Sequence, residues 1–182
     1  MADIPMEFLP DGFEPLRTYA SERLALEVLS AAHARQDYDC VTASAEAIRG
    51  VFGPDNGWPD RDMTYVENLA DLERHEQEFN ARQAFAYAIF ENAGVHGRRL
   101  YAGCLYIKPI KSRFDNDCRR TLFNAQAFCW FSTSTHNDLF GQLAAEELMQ
   151  WIEKCWPFAA VAFPGRNISW HEWLALATAS SS

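Results

Sequence analysis

Two histidine–glutamate pairs, His75-Glu76 and His171-Glu172, come nearest to metal chemistry in this chain. A helical zinc site needs H-E-x-x-H, so that two imidazoles project from one face beside the glutamate. Phe79 and Ala175 stand where the second histidines would be, so no metal is expected. Ser132, Ser134 and Thr135 offer hydroxyl nucleophiles, but without the G-x-S-x-G frame of a hydrolase elbow. The cysteines (Cys40, Cys104, Cys118, Cys129 and Cys155) show no C-x-x-C spacing, and three lie in apolar segments as small hydrophobes. That usage suits a reducing cytoplasm. What remains is Ser132–Asp138 (STSTHND), a run of hydroxyl and amide groups able to cap a helix. A loop of this kind, feeding a helix, presents unpaired N–H groups to an anion.

The elements that must position this loop are legible on both sides. Leu122–Phe131 (LFNAQAFCWF) is apolar and aromatic enough for a strand buried on both faces. Ala144, Leu148, Trp151, Ile152 and Cys155 form one apolar stripe on a helix over 139–155. Phe158–Phe163 (FAAVAF) reads as a second buried strand, stopped by Pro164-Gly165. Strand, helix and strand make a right-handed parallel crossover.

Upstream, residues 1–22 read as an arm anchored by Phe8, Leu9 and Phe13, and a single domain spans 23–178 with a frayed tail at 179–182. Arg23–Leu29 alternates as a first strand. A helix follows over about 31–52, with Gly53-Pro54 as its stop. Thr64 and Glu67 match a capping box that opens a second helix to about Arg82. Phe85, Tyr87 and Ile89, then Leu100–Ile107, predict an antiparallel hairpin around the turn Asn92–Gly97. Gly103 inside its second strand marks a bulge or a close backbone approach. A last short helix is expected over 166–177. The fold class is α+β: a mostly antiparallel twisted sheet, one parallel β-α-β crossover, helices on both faces.

Composition narrows the function. Apolar residues make up 48% and no run approaches the roughly 18 needed to span a bilayer, so no membrane role is expected. The N-terminus carries Asp3 and Glu7 and lacks the basic start of a signal peptide. A formal charge of -9 argues against a nucleic-acid surface.

The order of elements resembles the GNAT superfamily of N-acetyltransferases. The resemblance rests on RLALEVL followed by two helices, the hairpin FAYAIFE…RRLYAGCLYIKP, AQAFCWFSTS before helix 139–155, and WIEKCWPFAAVAFPGRN after it. It covers about residues 23–170. It implies that the crossover strands splay to admit the pantetheine arm of acetyl-CoA, while the loop and helix N-terminus hold the pyrophosphate. The family signature places Arg or Gln three residues before Gly, then Gly or Ala two residues on. With Gly141 as the first glycine, Asp138 and Leu143 take the other places; with Gly141 as the last, His136 and Leu139 do. The family's last hairpin is also absent from the pattern.

By this resemblance, Trp130, Phe131 and Ser132 offer strand backbone to pantetheine, and equally they read as plain core strand. Asn137, Phe140, Gly141 and Gln142 sit at the helix start, where capping alone would also explain them. Gly141 would let a diphosphate approach closely. Asn167 and Ser169 fall near the reacting thioester, or simply open the last helix. The implied reaction is direct transfer of an acetyl group from acetyl-CoA, as co-substrate, to an amine of an unknown acceptor. Glu91 and His136 are among several candidates for a base, and none is assigned. The alternative is a catalytically inactive GNAT-like binding or assembly module. Trp156, Trp170 and Trp173 cluster near the C-terminal end and suggest a homodimer contact.

Overall fold

Phe85, Tyr87 and Ile89 alternate with Ala86, Ala88 and Phe90, and this period of two sends the residues into two cores on opposite faces of one sheet. The computed structural model describes residues 6–93, 98–114, 117–135 and 139–178. Within them lie strands β1 (Thr18–Ala20), β2 (Leu24–Val28), β3 (Phe85–Ala93), β4 (Arg98–Lys108), β5 (Ala125–Phe131) and β6 (Val161–Ala162). The helices are α1 (Ala34–Ile48), α2 (Tyr65–Asn80), the short α3 (Arg119–Leu122), α4 (Phe140–Cys155) and α5 (Trp170–Thr178). The six strands follow one another in sheet order β1 to β6. All neighbours are antiparallel except β5 and β6, which run parallel and are joined by α4.

One face of the sheet packs against α4. Leu148, Trp151 and Ile152 meet Leu24, Leu26, Tyr87, Leu105 and Cys129 there, and Phe8, Leu9 and Phe13 lie against the same core. Val41 and Ile48 of α1 and Leu72 of α2 cover the other face with Ala88, Cys104, Tyr106, Phe128 and Trp130. Side chains of the size of Leu, Phe or Trp, removed from water here, each contribute on the order of 1.5–3 kcal/mol.

Five elements differ from expectation, each for a local reason. Thr18–Ala20 adds an edge strand, in register with Ala25–Glu27. The strand expected from Leu122 begins at Ala125, since Arg119–Leu122 form a helical turn. The strand expected over 158–163 shrinks to two residues, because the Asn124 side-chain oxygen accepts the N–H groups of Ala159 (2.9 Å) and Ala160 (3.1 Å). The last helix starts at Trp170 and not at Arg166, where Ser169 and Glu172 cap it reciprocally. The helix expected to reach Phe52 ends at Ile48, and Gly50 then takes φ 83°. The Thr64–Glu67 capping box opens α2 as read from the sequence.

Candidate functional site

Gly103 governs the geometry of β5. Ile89 pairs with Gly103 and Phe90 with Tyr101, so β4 carries one extra residue at Ala102. Gly103 has φ 147°, and a Cβ there would lie 1.9 Å from the Trp130 carbonyl oxygen. Only glycine permits this approach. The displaced Ala102 carbonyl accepts the Ser132 N–H at 2.7 Å, which ties the end of β5 to β4.

Because Ser132 points its N–H toward β4, the N–H of Phe131 points the opposite way, toward the β6 side. There the ladder has already ended. β5 and β6 pair only at Ala125 with Val161 and Gln126 with Ala162. Past that point the β6 side of the sheet turns away. Arg166 N–H and Asn167 N–H both donate to the Phe163 carbonyl, while the Asn167 side-chain oxygen accepts from Phe163 N–H at 2.8 Å. Among the described residues, the edge of β5 from Cys129 to Phe131 is therefore paired by no strand. One guanidinium reaches it: Arg166 donates to the Cys129 carbonyl at 3.3 Å and lies 5.9 Å from the Phe131 ring centre.

Beside this open seam is a cleft of about 410 Å³, formed by the end of α1 (Ile48, Arg49), strand residues Phe128–Phe131, the turn Pro164–Arg166 and Trp170. Trp170 stacks on Phe128 with ring centres 6.1 Å apart and planes at 8°. Burial holds the Cys129 thiol up at about 11, with Arg166 pulling it down only in part, so it stays a neutral core thiol at pH 7.

The residues expected to bind a cofactor take different positions. Trp130 is buried and donates its indole N–H to Tyr106 Oη at 3.3 Å, so its side chain belongs to the core. Phe131 is half-buried, edge-on to Phe140 at 5.9 Å. Ser132 is buried, and its hydroxyl oxygen accepts the Ser134 N–H at 3.1 Å. Phe140 is buried, and Gln142 is exposed with its amide 3.4 Å from Glu146. Gly141 stands in the first turn of α4. A Cβ there would meet Phe131 Cδ2 at 3.3 Å, so the missing side chain admits an aromatic ring. Asn167 closes its own turn, and Ser169 caps α5. Asn137, with His136 and Asp138, lies outside the described residues. Glu91 is buried opposite Leu24 and Leu100, two strands from β5.

The tryptophans expected at an exposed C-terminal end face inward. Trp156 packs on Phe85, Trp173 on Phe123, and only Trp170 is partly exposed, within the cleft. Arg49 lies far from Arg166 and Trp170 in sequence, and the three meet as cleft residues only in the folded chain. The sequence signal for this cleft is the arginine that directly follows the Pro164-Gly165 stop.

A second polar cluster lies under α1. Asp37 is 3% exposed and accepts from Tyr101 Oη (2.6 Å), Asn68 Nδ2 (2.9 Å) and Cys104 Sγ (3.3 Å). Burial pushes its carboxyl up while the three donors pull it back. His75 is buried between Asp71 and Glu78, and desolvation, aided by Arg74, lowers it to about 4.

No family model and no curated protein matches the sequence. Solved structures do. RimL, a ribosomal alpha-N-protein acetyltransferase, superposes in its apo form with a TM-score of 0.51 and 17% identity over 81% of this chain and 70% of that one. Its complex with coenzyme A gives 0.51 and 17%, over 72% of this chain and 64% of that one. A ribosomal-protein alanine acetyltransferase from Vibrio fischeri gives 0.50 and 10%, over 75% and 67%.

Proposed function

The chain has the acyltransferase fold of the GNAT superfamily, and from that premise we propose that it transfers an acyl group from acyl-CoA, in the simplest case acetyl-CoA, to an amine. The observation that carries this reading is the strand edge at Cys129–Phe131, which no strand among the described residues pairs and which opens onto a cleft. An extended amide chain such as pantetheine fits an edge of this kind, because its amides replace those of the strand that is not there. The first N–H groups of α4, at Phe140, Gly141 and Gln142, have no partner within the helix and suit the diphosphate. The N-cap residue, Leu139, brings no polar side chain of its own, and no acidic residue lies in the first turn of the helix.

In the reaction the amine nitrogen attacks the thioester carbonyl. The C–N bond forms as C–S breaks, the ammonium proton leaves to solvent or a base, and the CoA thiolate takes up a proton. The contribution of this chain is alignment, with the Phe131 N–H facing the seam where carbonyl charge develops. We assign no general base. No helix among the described residues is long and apolar enough to cross a membrane. Calorimetric titration of CoA, followed by mass spectrometry of an amine panel with acetyl-CoA, tests the proposal. Micromolar CoA binding with an acetylated product supports it; binding without any product over the whole panel favours a module without catalysis; no binding refutes the reading.

A further inference from the structure

In a chain of net charge -9, the charged side chains lining the cleft among the described residues are Arg49 and Arg166, with no carboxylate beside them in that set. Most arginines elsewhere are matched. Arg23, Arg99 and Arg119 each hold a carboxylate at 2.6–2.9 Å. Among the described residues Arg49 has only Glu46 as an ion-pair partner, at 3.6 Å and 83% exposed. Arg166 faces no carboxylate within 4 Å among the described residues, and its guanidinium rests on the Cys129 carbonyl by a long bond. Its backbone is held in the closed turn after Phe163, so the exposed side chain can swing without disturbing the fold. The walls beside the two cations are aromatic, Phe131 and the Phe128–Trp170 stack. Such walls screen a charge less than water does, which strengthens a guanidinium–anion pair.

We propose that this cleft is a carboxylate subsite: the substrate that meets the thioester there carries a carboxylate, gripped by Arg166 with Arg49 behind it. This rests on the acyltransferase reading above. The bond from Arg166 to Cys129 lies on the edge that the donor chain would take, so arrival of the donor frees the guanidinium for the carboxylate. The carboxylate can belong to the acyl group of the donor or to the amine acceptor, and both sources share the chemistry of a planar anion held by a planar cation.

The test uses the full chain and Arg166→Gln, which keeps an N–H donor for the Cys129 carbonyl and removes the charge. Arg49→Ala is the second variant, and melting curves check that each is folded. CoA, propionyl-CoA and malonyl-CoA are titrated calorimetrically. Turnover of acetyl-CoA is then compared between a pool of amino acids and the same pool as amino-acid amides. A carboxylate on the donor predicts malonyl-CoA about tenfold tighter than propionyl-CoA, with the margin lost in Arg166→Gln and the affinity for CoA unchanged. A carboxylate on the acceptor predicts equal donors and a similar margin for the acid pool, again lost in the variant. The proposal is overturned if neither margin exists, or if both survive in Arg166→Gln. It is also overturned if the variant weakens CoA itself, which would assign Arg166 to a phosphate. Failure of the wild type to bind CoA at all removes the acyltransferase reading, and this proposal with it.

Discussion

Replacing Gly103 by alanine is the most severe single-methyl change this structure offers. The new Cβ would lie 1.9 Å from the Trp130 carbonyl oxygen and 3.0 Å from Phe131 Cα, both backbone atoms. Restoring even a 3.0 Å approach requires β5 to retreat by about 1 Å (3.0 minus 1.9). A bond at 2.7 Å, such as Ser132 N–H to the Ala102 carbonyl, then lengthens to about 3.7 Å and is lost. Each such loss costs about 0.5–1.5 kcal/mol, and φ of 147° adds about 1–3 kcal/mol for a residue with a side chain. With one or two ladder bonds broken, Gly103→Ala should destabilise the fold by about 2–5 kcal/mol. Urea unfolding followed by tryptophan fluorescence measures this as a lower midpoint at unchanged slope. The same displacement should weaken any ligand that uses the outer edge of β5. An unfolding free energy within about 0.5 kcal/mol of wild type would refute the bulge geometry and the argument built on it.

Asp37→Asn keeps the volume but sets a new amide donor against either Asn68 Nδ2 or the Tyr101 and Cys104 donors, and should cost about 1–3 kcal/mol in thermal or urea unfolding. His75 is held near 4 in the folded chain against an ordinary value near 6.5, so the unfolded state takes up a proton first as pH falls. Its effect on stability is nil above about pH 7, and up to about 3 kcal/mol is lost between pH 6.5 and 4. His75→Phe should flatten that stretch of a midpoint-against-pH curve. Gly141→Val should push on the Phe131 ring, cost about 1–2 kcal/mol and weaken CoA binding, as melting curves and calorimetry on the same samples would show.

The crossover was legible because its parts are local. Leu148, Trp151 and Ile152 repeat at helical spacing, β5 is a run of apolar residues, and Thr64–Glu67 is a capping box written in four residues. The strand at Thr18–Ala20 was not, since its residues are mostly exposed and it exists only as an edge to β2. Phe158–Ala160 looked like strand because the pattern is apolar, and one side-chain amide 35 residues away takes the N–H groups that a ladder needs. The site was half legible for the same reason. The close approach at Gly103 follows from a lone glycine in a strand. The cleft combines the end of α1, the end of β5 and a turn after β6, so Arg49 and Arg166 acquire a shared surroundings only on folding. Asp37 reads as an ordinary polar helix residue until partners 31 to 67 positions away enclose it.

The central claim is that the outer edge of β5 receives the donor, and the amide of Phe131 reports on it directly. Titration of CoA into the nitrogen-15-labelled chain, followed by amide shifts, predicts the largest changes at Cys129–Phe131 and at Phe140–Gln142. Changes confined to other elements at saturating CoA, or none at all, would contradict it.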